Sequence, residues 1–340
     1  MAALTGTNLA FSRWMAEHAS VGNAYLGRRL GGGNSNVTQL VHSDAGNLVL
    51  RRPPDDAISE SAARGVRREH RILTALAGHA PVPRVIAFCD DATVMGQPFI
   101  VTEHIDGVSI TTTLPAAYPT DAATLARLGE ELVDALAQIH TADWAALGLT
   151  PPATAGSYVR SQVERWLETR ATDAVRELPL VGTVGRWLLA NLPRTPPARV
   201  VHGDYHLDNT LFRPDTPRLA AVIDWELSTI GDPLADLGLM LAFWGPRPVD
   251  PPGFAFVQAV TRAPGVVTRE TLAARWSDRT GILIDDLRFY LVFACWRLAV
   301  IVEGAYVLYC RGRVRDDYSR DLGENVPKLL TEAALLAGLA

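Results

Sequence analysis

Cysteine is scarce in this 340-residue chain: Cys89, Cys295 and Cys310 are the whole complement, odd in number and far apart. They imply no disulfide framework, and a reduced, cytoplasmic setting is expected. Basic residues are not in excess either. A formal net charge of -5 at pH 7 argues against a nucleic-acid partner, which would favour a basic face. The first residues, MAALTGTNLAFSRWMAEHAS, offer neither a cationic start nor a continuous apolar run, so no secretory signal is expected. Internal repeats and low-complexity tracts are missing too. One apolar stretch, FYLVFACWRLAVIVEGAYVLYC (289–310), is long enough to cross a bilayer, but Arg297 and Glu303 interrupt it. Charges at mid-bilayer are costly. A helix buried in a globular core is therefore expected, and no membrane partner. With 48% hydrophobic and 20% charged residues, the chain can bury a large core in one or two lobes.

What the chain does have is a dense run of polar residues at 200–238. VVHGDYHLDNTLF (200–212) is followed by a short linker and AAVIDWELSTIGDPLADLG (220–238). Asp204, Asn209 five positions on, and Asp224 at the end of a strand-like 219–223 stand in the order that phosphoryl transfer from a magnesium nucleotide needs. One carboxylate accepts the proton of an attacking hydroxyl. An amide five residues later turns back to hold a metal ion. A second carboxylate, delivered by the next strand, holds metal against the nucleotide phosphates. Asp and Asn are common in turns, so D-x-x-x-x-N alone would be weak. The apolar Val200-Val201 before the loop and the strand after it make the combination specific.

Upstream, 28–52 reads as a β-hairpin region. Arg28-Arg29-Leu30 leads into Gly31, Gly32, Gly33, Asn34, Ser35 and Asn36. Strands follow at 37–41 and 48–51, joined by a turn at 43–47. Glycines between strands let backbone N–H groups approach phosphate oxygens, which makes 31–36 a candidate nucleotide-binding loop. No Gly-Lys-Ser/Thr follows, so it is not a Walker A loop. Strand alternation puts Val49 and Arg51 on one face and Arg52 on the other. A helix is predicted over 61–76, with Val66, Glu69, Leu73 and Leu76 in one stripe. A buried carboxylate needs a partner, and Arg51 is the natural candidate for Glu69. Strands at 85–89 and 98–103 lead to Glu103-His104-Ile105-Asp106-Gly107, where one lobe would pass to the other. Extended backbone at Glu103 and Ile105 is placed to pair with an adenine edge. Beyond 120 the pattern turns mainly helical, with helices expected at 125–140, 157–169, 181–192, 254–260 and 270–279, and a hairpin of helices over 284–311.

These residues resemble a known family. From about residue 30 to 241 the chain looks like the aminoglycoside phosphotransferase-like, or choline-kinase-like, branch of the protein-kinase fold, on VVHGDYHLDNTLF and VIDWELSTIGDPLADLG. LVLRRPP, RREHRIL, APVPRVIAFCDDATVMGQPFIVTEHIDG and YVRSQVERW are similar to the subgroup that also occurs as the kinase-like domain of acyl-CoA dehydrogenase members ten and eleven. The resemblance implies an α+β, bilobal fold. A small N-terminal lobe, 1–104, would hold an antiparallel sheet plus a helix and bind the nucleotide. A larger, mainly helical C-terminal lobe, 105–340, would carry catalysis and the acceptor. Also implied are Asp204 as catalytic base, Asn209 and Asp224 as magnesium ligands, and Arg51 at the phosphate-contacting cation position, paired with Glu69. A hinge near Glu103 and Ile105 and a bracing role for Asp236 complete the set. ATP, or another nucleoside triphosphate, with magnesium is the implied cofactor. Arginine at 51 departs from the usual lysine and brings a different geometry to the phosphates.

The leading expectation is thus an ATP-dependent O-phosphotransferase for a small-molecule hydroxyl substrate. The subgroup points to a hydroxyacyl compound or its CoA ester, with an aminoglycoside as the alternative. No run of acidic residues suited to a polycation is evident, and Arg160, Arg165, Trp166, Trp296, Arg297 and Glu303 are candidates to line the acceptor pocket. Two other classes compete: a metallohydrolase using His202, Asp204 and His206 with His140 upstream, and a non-catalytic nucleotide-binding module. The sequence leaves open the acceptor, ATP against GTP, and the oligomeric state.

Overall fold

Alternating side chains build the N-terminal region of the computed structural model, which describes residues 6–30, 36–54, 60–249 and 259–339. Helix α1 (Gly6–His18) is followed by β1 (Ala24–Arg29), β2 (Val37–Ser43), β3 (Gly46–Arg52), α2 (Glu60–Leu76), β4 (Val85–Cys89), α3 (Ala92–Met95) and β5 (Phe99–Glu103). The strands form one antiparallel sheet in the order β1-β2-β3-β5-β4. Leu48 and Leu50 of β3 pack with Phe11, Met15, Val41 and Phe99 on the face that α1 covers. Val49 and Arg51 occupy the opposite face, as period-two alternation requires. Along α2, Val66, Leu73 and Leu76 are buried, and Glu69 is buried with them.

The C-terminal region runs α4 (Ala122–Thr141), α5 (Tyr158–Asp173), α6 (Pro179–Ala190), β6 (Arg199–Val201), β7 (Thr210–Phe212), β8 (Leu219–Val222), β9 (Thr229–Gly231), α7 (Leu234–Ala242), α8 (Arg269–Thr280), α9 (Leu287–Cys310) and α10 (Asp317–Ala337). β6 pairs with β9 and β7 with β8, both antiparallel. These two short ladders hold the loops of interest over a core that includes Leu132, Leu136, Trp225, Leu241, Phe293 and Trp296. Val66 and Leu73 of α2 join the same core.

Two expectations need correction. The N-terminal sheet begins at Ala24, behind an additional helix, not at residue 28. The hairpin of helices over 284–311 is one continuous helix, α9, capped by Asp286, which accepts from Phe289 N at 3.0 Å. No proline breaks it, and Gly304 alone is too weak a breaker. α9 is the one helix among the described residues long and apolar enough to cross a membrane. In this fold it packs against α7 and α10, and its Arg297 and Glu303 find partners inside the protein. The helix expected at 254–260 falls mostly outside the described residues; a single tight turn, Val260–Arg262, follows.

Candidate active site

The loop after β6 is held by groups distant in sequence. Gly203 has φ +88, and a Cβ there would stand 2.6 Å from Leu227 O, so only glycine fits. Asp236, in the first turn of α7, accepts from His202 N at 2.6 Å and Gly203 N at 2.9 Å. Arg297 Nη1 donates to Gly203 O at 2.8 Å. His202 Nε2 donates to Ile223 O at 2.9 Å, and Nδ1 accepts from Asp204 N at 3.2 Å. His140 Nδ1 accepts from Trp276 Nε1 at 3.0 Å, with Nε2 3.4 Å from Asp236 Oδ2. Burial pulls the His140 pKa down against that carboxylate. His140 and His202 therefore serve the scaffold. Among the described residues no three His, Cys, Asp or Glu side chains converge as a metal-holding group, so the metallohydrolase reading finds no ligand set.

Asp204 itself is fixed by its neighbours. Asn209 Nδ2 donates to Asp204 O at 2.9 Å and Oδ2 at 3.0 Å. His206 Nε2 lies 3.4 Å from Asp204 Oδ1. Burial alone would raise the Asp204 pKa, but His206, His202 and Arg297 together hold it down at about 2. Burial lowers the His206 pKa, yet Asp204 and Asp208 lift it above its ordinary value. Ile223 N donates to Asn209 O at 2.9 Å, tying this loop to the end of β8. There Asp224 adopts φ 69, ψ 61. It is the one non-glycine residue with positive φ among those described, a conformation costing about 1–3 kcal/mol.

Arg51 reaches three carboxylates. Its Nη2 donates to Asp224 Oδ1 at 2.6 Å and lies 4.0 Å from Glu226 Oε2, while Nε is 3.4 Å from Glu69 Oε2. The expected Arg51–Glu69 pair is present, but one guanidinium is shared. Asn36 Nδ2 also donates to Glu226. Burial works against the Arg51 charge, yet the carboxylates raise its pKa further. For Glu69, burial outweighs its share of Arg51 and pushes the pKa up to about 7. Glu69 Oε2 is buried with no hydrogen bond, which favours its protonated form.

A folded pKa above the ordinary 4.5 means the native state retains a proton that the unfolded chain has lost. This contribution to stability is complete below about 4.5 and is lost as pH rises through about 7. Urea unfolding across that window should show the parent losing stability with rising pH and Glu69→Gln losing less. Parallel curves would remove Glu69 as the titrating group.

Between sheet and helices lies a cleft of about 580 Å³. Asn36, Arg51, Glu69, Glu103, Ile105 and Asp224 all line it, as do the apolar Val49, Leu211 and Ile223. Glu103 N donates to Arg84 O, and its side chain accepts from Arg84 N at 2.8 Å. Gly31, Gly32, Gly33, Asn34 and Ser35 lie outside the described residues. Sequence reasoning missed Glu226, two residues beyond Asp224, although the second carboxylate of DWE was a signal. It also missed Leu211 and Ile223, readable only once both ladders are known.

The acceptor-pocket candidates divide. Trp296 Nε1 donates to Val181 O at 2.9 Å inside the core, and Glu303 accepts from Arg176 at 3.0 and 2.5 Å. Those two belong to the fold, and Arg297 to the loop brace. Arg160 is exposed and 3.7 Å from Glu164, while Arg165 lies 5.1 Å over the Trp166 ring. Tyr318 of α10 was not foreseen. Tyr318 is 44% exposed overall, yet desolvation of its hydroxyl and then the Asp204 charge push its pKa up to about 12.

A family model described as phosphotransferase enzyme family matches residues 27–273. Acyl-CoA dehydrogenase family member 10 of Mus musculus is 32% identical over 296 residues, 86% of this chain and 27% of that protein. Family member 11 of Rattus norvegicus is 32% identical over 286 residues, 82% of this chain and 36% of that protein. The chain thus spans about a quarter to a third of the length of these curated relatives. A solved structure from Ralstonia eutropha JMP134, provisionally named an aminoglycoside phosphotransferase, matches with a TM-score of 0.82 at 28% identity, covering 97% of this chain and 98% of that one.

Proposed function

Because the chain belongs to the phosphotransferase enzyme family and has a bilobal, protein-kinase-like fold, we propose that it is an ATP-dependent O-phosphotransferase acting on the hydroxyl of a hydroxyacyl compound or its CoA ester. One observation carries the reading. Asp204, held by Asn209 and His206, is tied through Ile223 to a cleft in which Asp224 and Arg51 stand together.

The residues fit a magnesium nucleotide. Asp224 is strained toward the cleft, Asn209 offers an amide, and Asn36 Oδ1 is buried with no partner. Held by Asn209 and Asp224, magnesium would draw charge from the nucleotide phosphates. Arg51 would release part of its hold on Asp224 to pair with phosphate oxygen. Val49, Leu211 and Ile223 would take the faces of the base. Asp204 stays ionised throughout the neutral range and accepts the hydrogen bond of the acceptor hydroxyl. As the bond from that oxygen to phosphorus forms and the bond to the leaving nucleotide breaks, the hydroxyl proton passes to Asp204. A pKa near 2 suits a group that orients the hydroxyl and takes its proton late, rather than a strong base. Positioning and charge neutralisation supply most of the rate.

Arg160 and Arg165 are the cations among the acceptor-pocket candidates that neither the core nor the loop brace takes up. A carboxylate or phosphate on the acceptor is drawn to such cations and a polyamine opposed. The relatives' names support an acyl compound; the name of the Ralstonia structure supports the second reading, an aminoglycoside acceptor. ADP release with hydroxy acids, their CoA thioesters and aminoglycosides separates the two. Turnover of a hydroxyacyl compound is expected. Efficient phosphorylation of an aminoglycoside alone would replace the acceptor and leave the kinase reading standing.

The metal role has its own test. Asp224→Asn keeps a residue tolerant of the left-handed conformation but removes the charge. Calorimetry should show magnesium-dependent ATP affinity weakened about tenfold or more, roughly 1.4 kcal/mol. Parent-like affinity would remove Asp224 as a ligand.

A further inference from the structure

Away from the cleft, where α5, α6 and α9 meet, lies a second cavity of about 500 Å³. That volume is in the range of small-molecule sites. Leu167, Ala171, Leu178 and Val181 give it apolar walls, Arg170 and Arg176 contribute positive charge, and Glu177 and Glu303 negative. The two arginines differ. Arg176 is satisfied by Glu303 and by the carbonyls of Leu322 and Gly323. Arg170 is not. Its side chain is 9% exposed, with Nη2 3.8 Å from Asp173 Oδ2. Its Nε and Nη1 are buried and have no hydrogen-bond partner. Asp173 is itself engaged by Arg311 Nη2 at 2.6 Å.

Packing prevents Arg170 from escaping to solvent. The Trp166 ring covers its guanidinium at 5.9 Å. On another side lies Gly304 of α9, where a Cβ would already stand 4.0 Å from Nη2. A guanidinium cannot shed its charge by deprotonating, and unmade buried donors are costly. Arg170 itself stands in the wall of the cavity, its charge met by Asp173 at 3.8 Å, an arrangement suited to an acid group attached to hydrocarbon. None of this lining is shared with the nucleotide cleft.

We propose that this cavity binds a carboxylate-headed hydrocarbon ligand of medium chain length, with Arg170 anchoring the acid and the apolar walls taking the chain. Arg176, already paired with Glu303, shapes the wall without adding net charge. The site needs neither nucleotide nor an acceptor hydroxyl, so it stands apart from the kinase reading.

Calorimetry of the full chain with sodium octanoate tests it, with 1-octanol as the uncharged control. The expected result is one octanoate per chain, about tenfold or more tighter than octanol. Arg170→Met should weaken octanoate at least about tenfold and leave ATP binding at the parent value, which also reports correct folding. Ala174→Trp, at an exposed position on the cavity wall, should exclude octanoate while leaving Arg170 in place. Equal binding of octanoate and octanol would overturn the proposal. So would parent-like octanoate affinity in either variant, or no octanoate binding by a parent that binds ATP. Octanoate binding by a protein that fails to bind ATP would instead count against the kinase reading.

Discussion

Asp204→Asn is expected to lower phosphoryl-transfer turnover by about two to four orders of magnitude while leaving nucleotide affinity near the parent value. The separation follows from the geometry. Asp204 is absent from the lining of the nucleotide cleft; its side chain meets Asn209 and His206. An amide in its place still accepts from Asn209, so the loop stays shaped by Asp236 and Arg297. What it loses is the charge that attracts the hydroxyl proton. Single-turnover measurements alongside ATP calorimetry read the two quantities separately. Near-parent turnover would end the assignment, and lost ATP binding would show Asp204 to be part of the cleft after all.

Arg51→Met is expected to cost about 3–5 kcal/mol of folding stability, the second large effect. Three carboxylates surround this side chain, and its removal leaves Glu69 buried without a cation. Glu69→Gln should cost less, because burial already favours the protonated acid. In the double variant most of the Arg51 penalty should vanish. The coupling should therefore stand well above the roughly 0.3–0.5 kcal/mol within which independent sites add. Additive costs would mean that the two side chains do not interact. Arg52 is a poor substitute, since it is buried on the other face of β3 and Nη1 donates to Pro53 O.

Legibility tracked how local the physics was. Arg51 and Glu69 were found because strand alternation and a helical stripe fix a side chain's direction within a few residues. The order of Asp204, Asn209 and Asp224 was readable because the loop and the next strand are almost contiguous. Contacts across long sequence separations were not. Arg297 was placed in the acceptor pocket because an arginine among aromatics has no visible partner until Gly203 is brought beneath it. Glu303 was misread for the same reason, its partner Arg176 lying on the segment between α5 and α6. Tyr318 carries no local pattern at all. In α9 both charges within the apolar stretch are paired inside the fold, and the helix runs through.

Arginine at position 51 also decides which chemistry can find this protein. Lys328 is the one lysine in the chain, exposed on α10. Nucleotide-derived reagents that mark kinases by acylating an amine beside the phosphates need a neutral nucleophile there. A guanidinium remains protonated at neutral pH and does not supply one. Surveys built on amine acylation would pass over this cleft however well it held ATP, and a silent result from them would carry no information about activity. Reagents directed at guanidinium groups, with nucleotide protection as the control, are the ones able to see it.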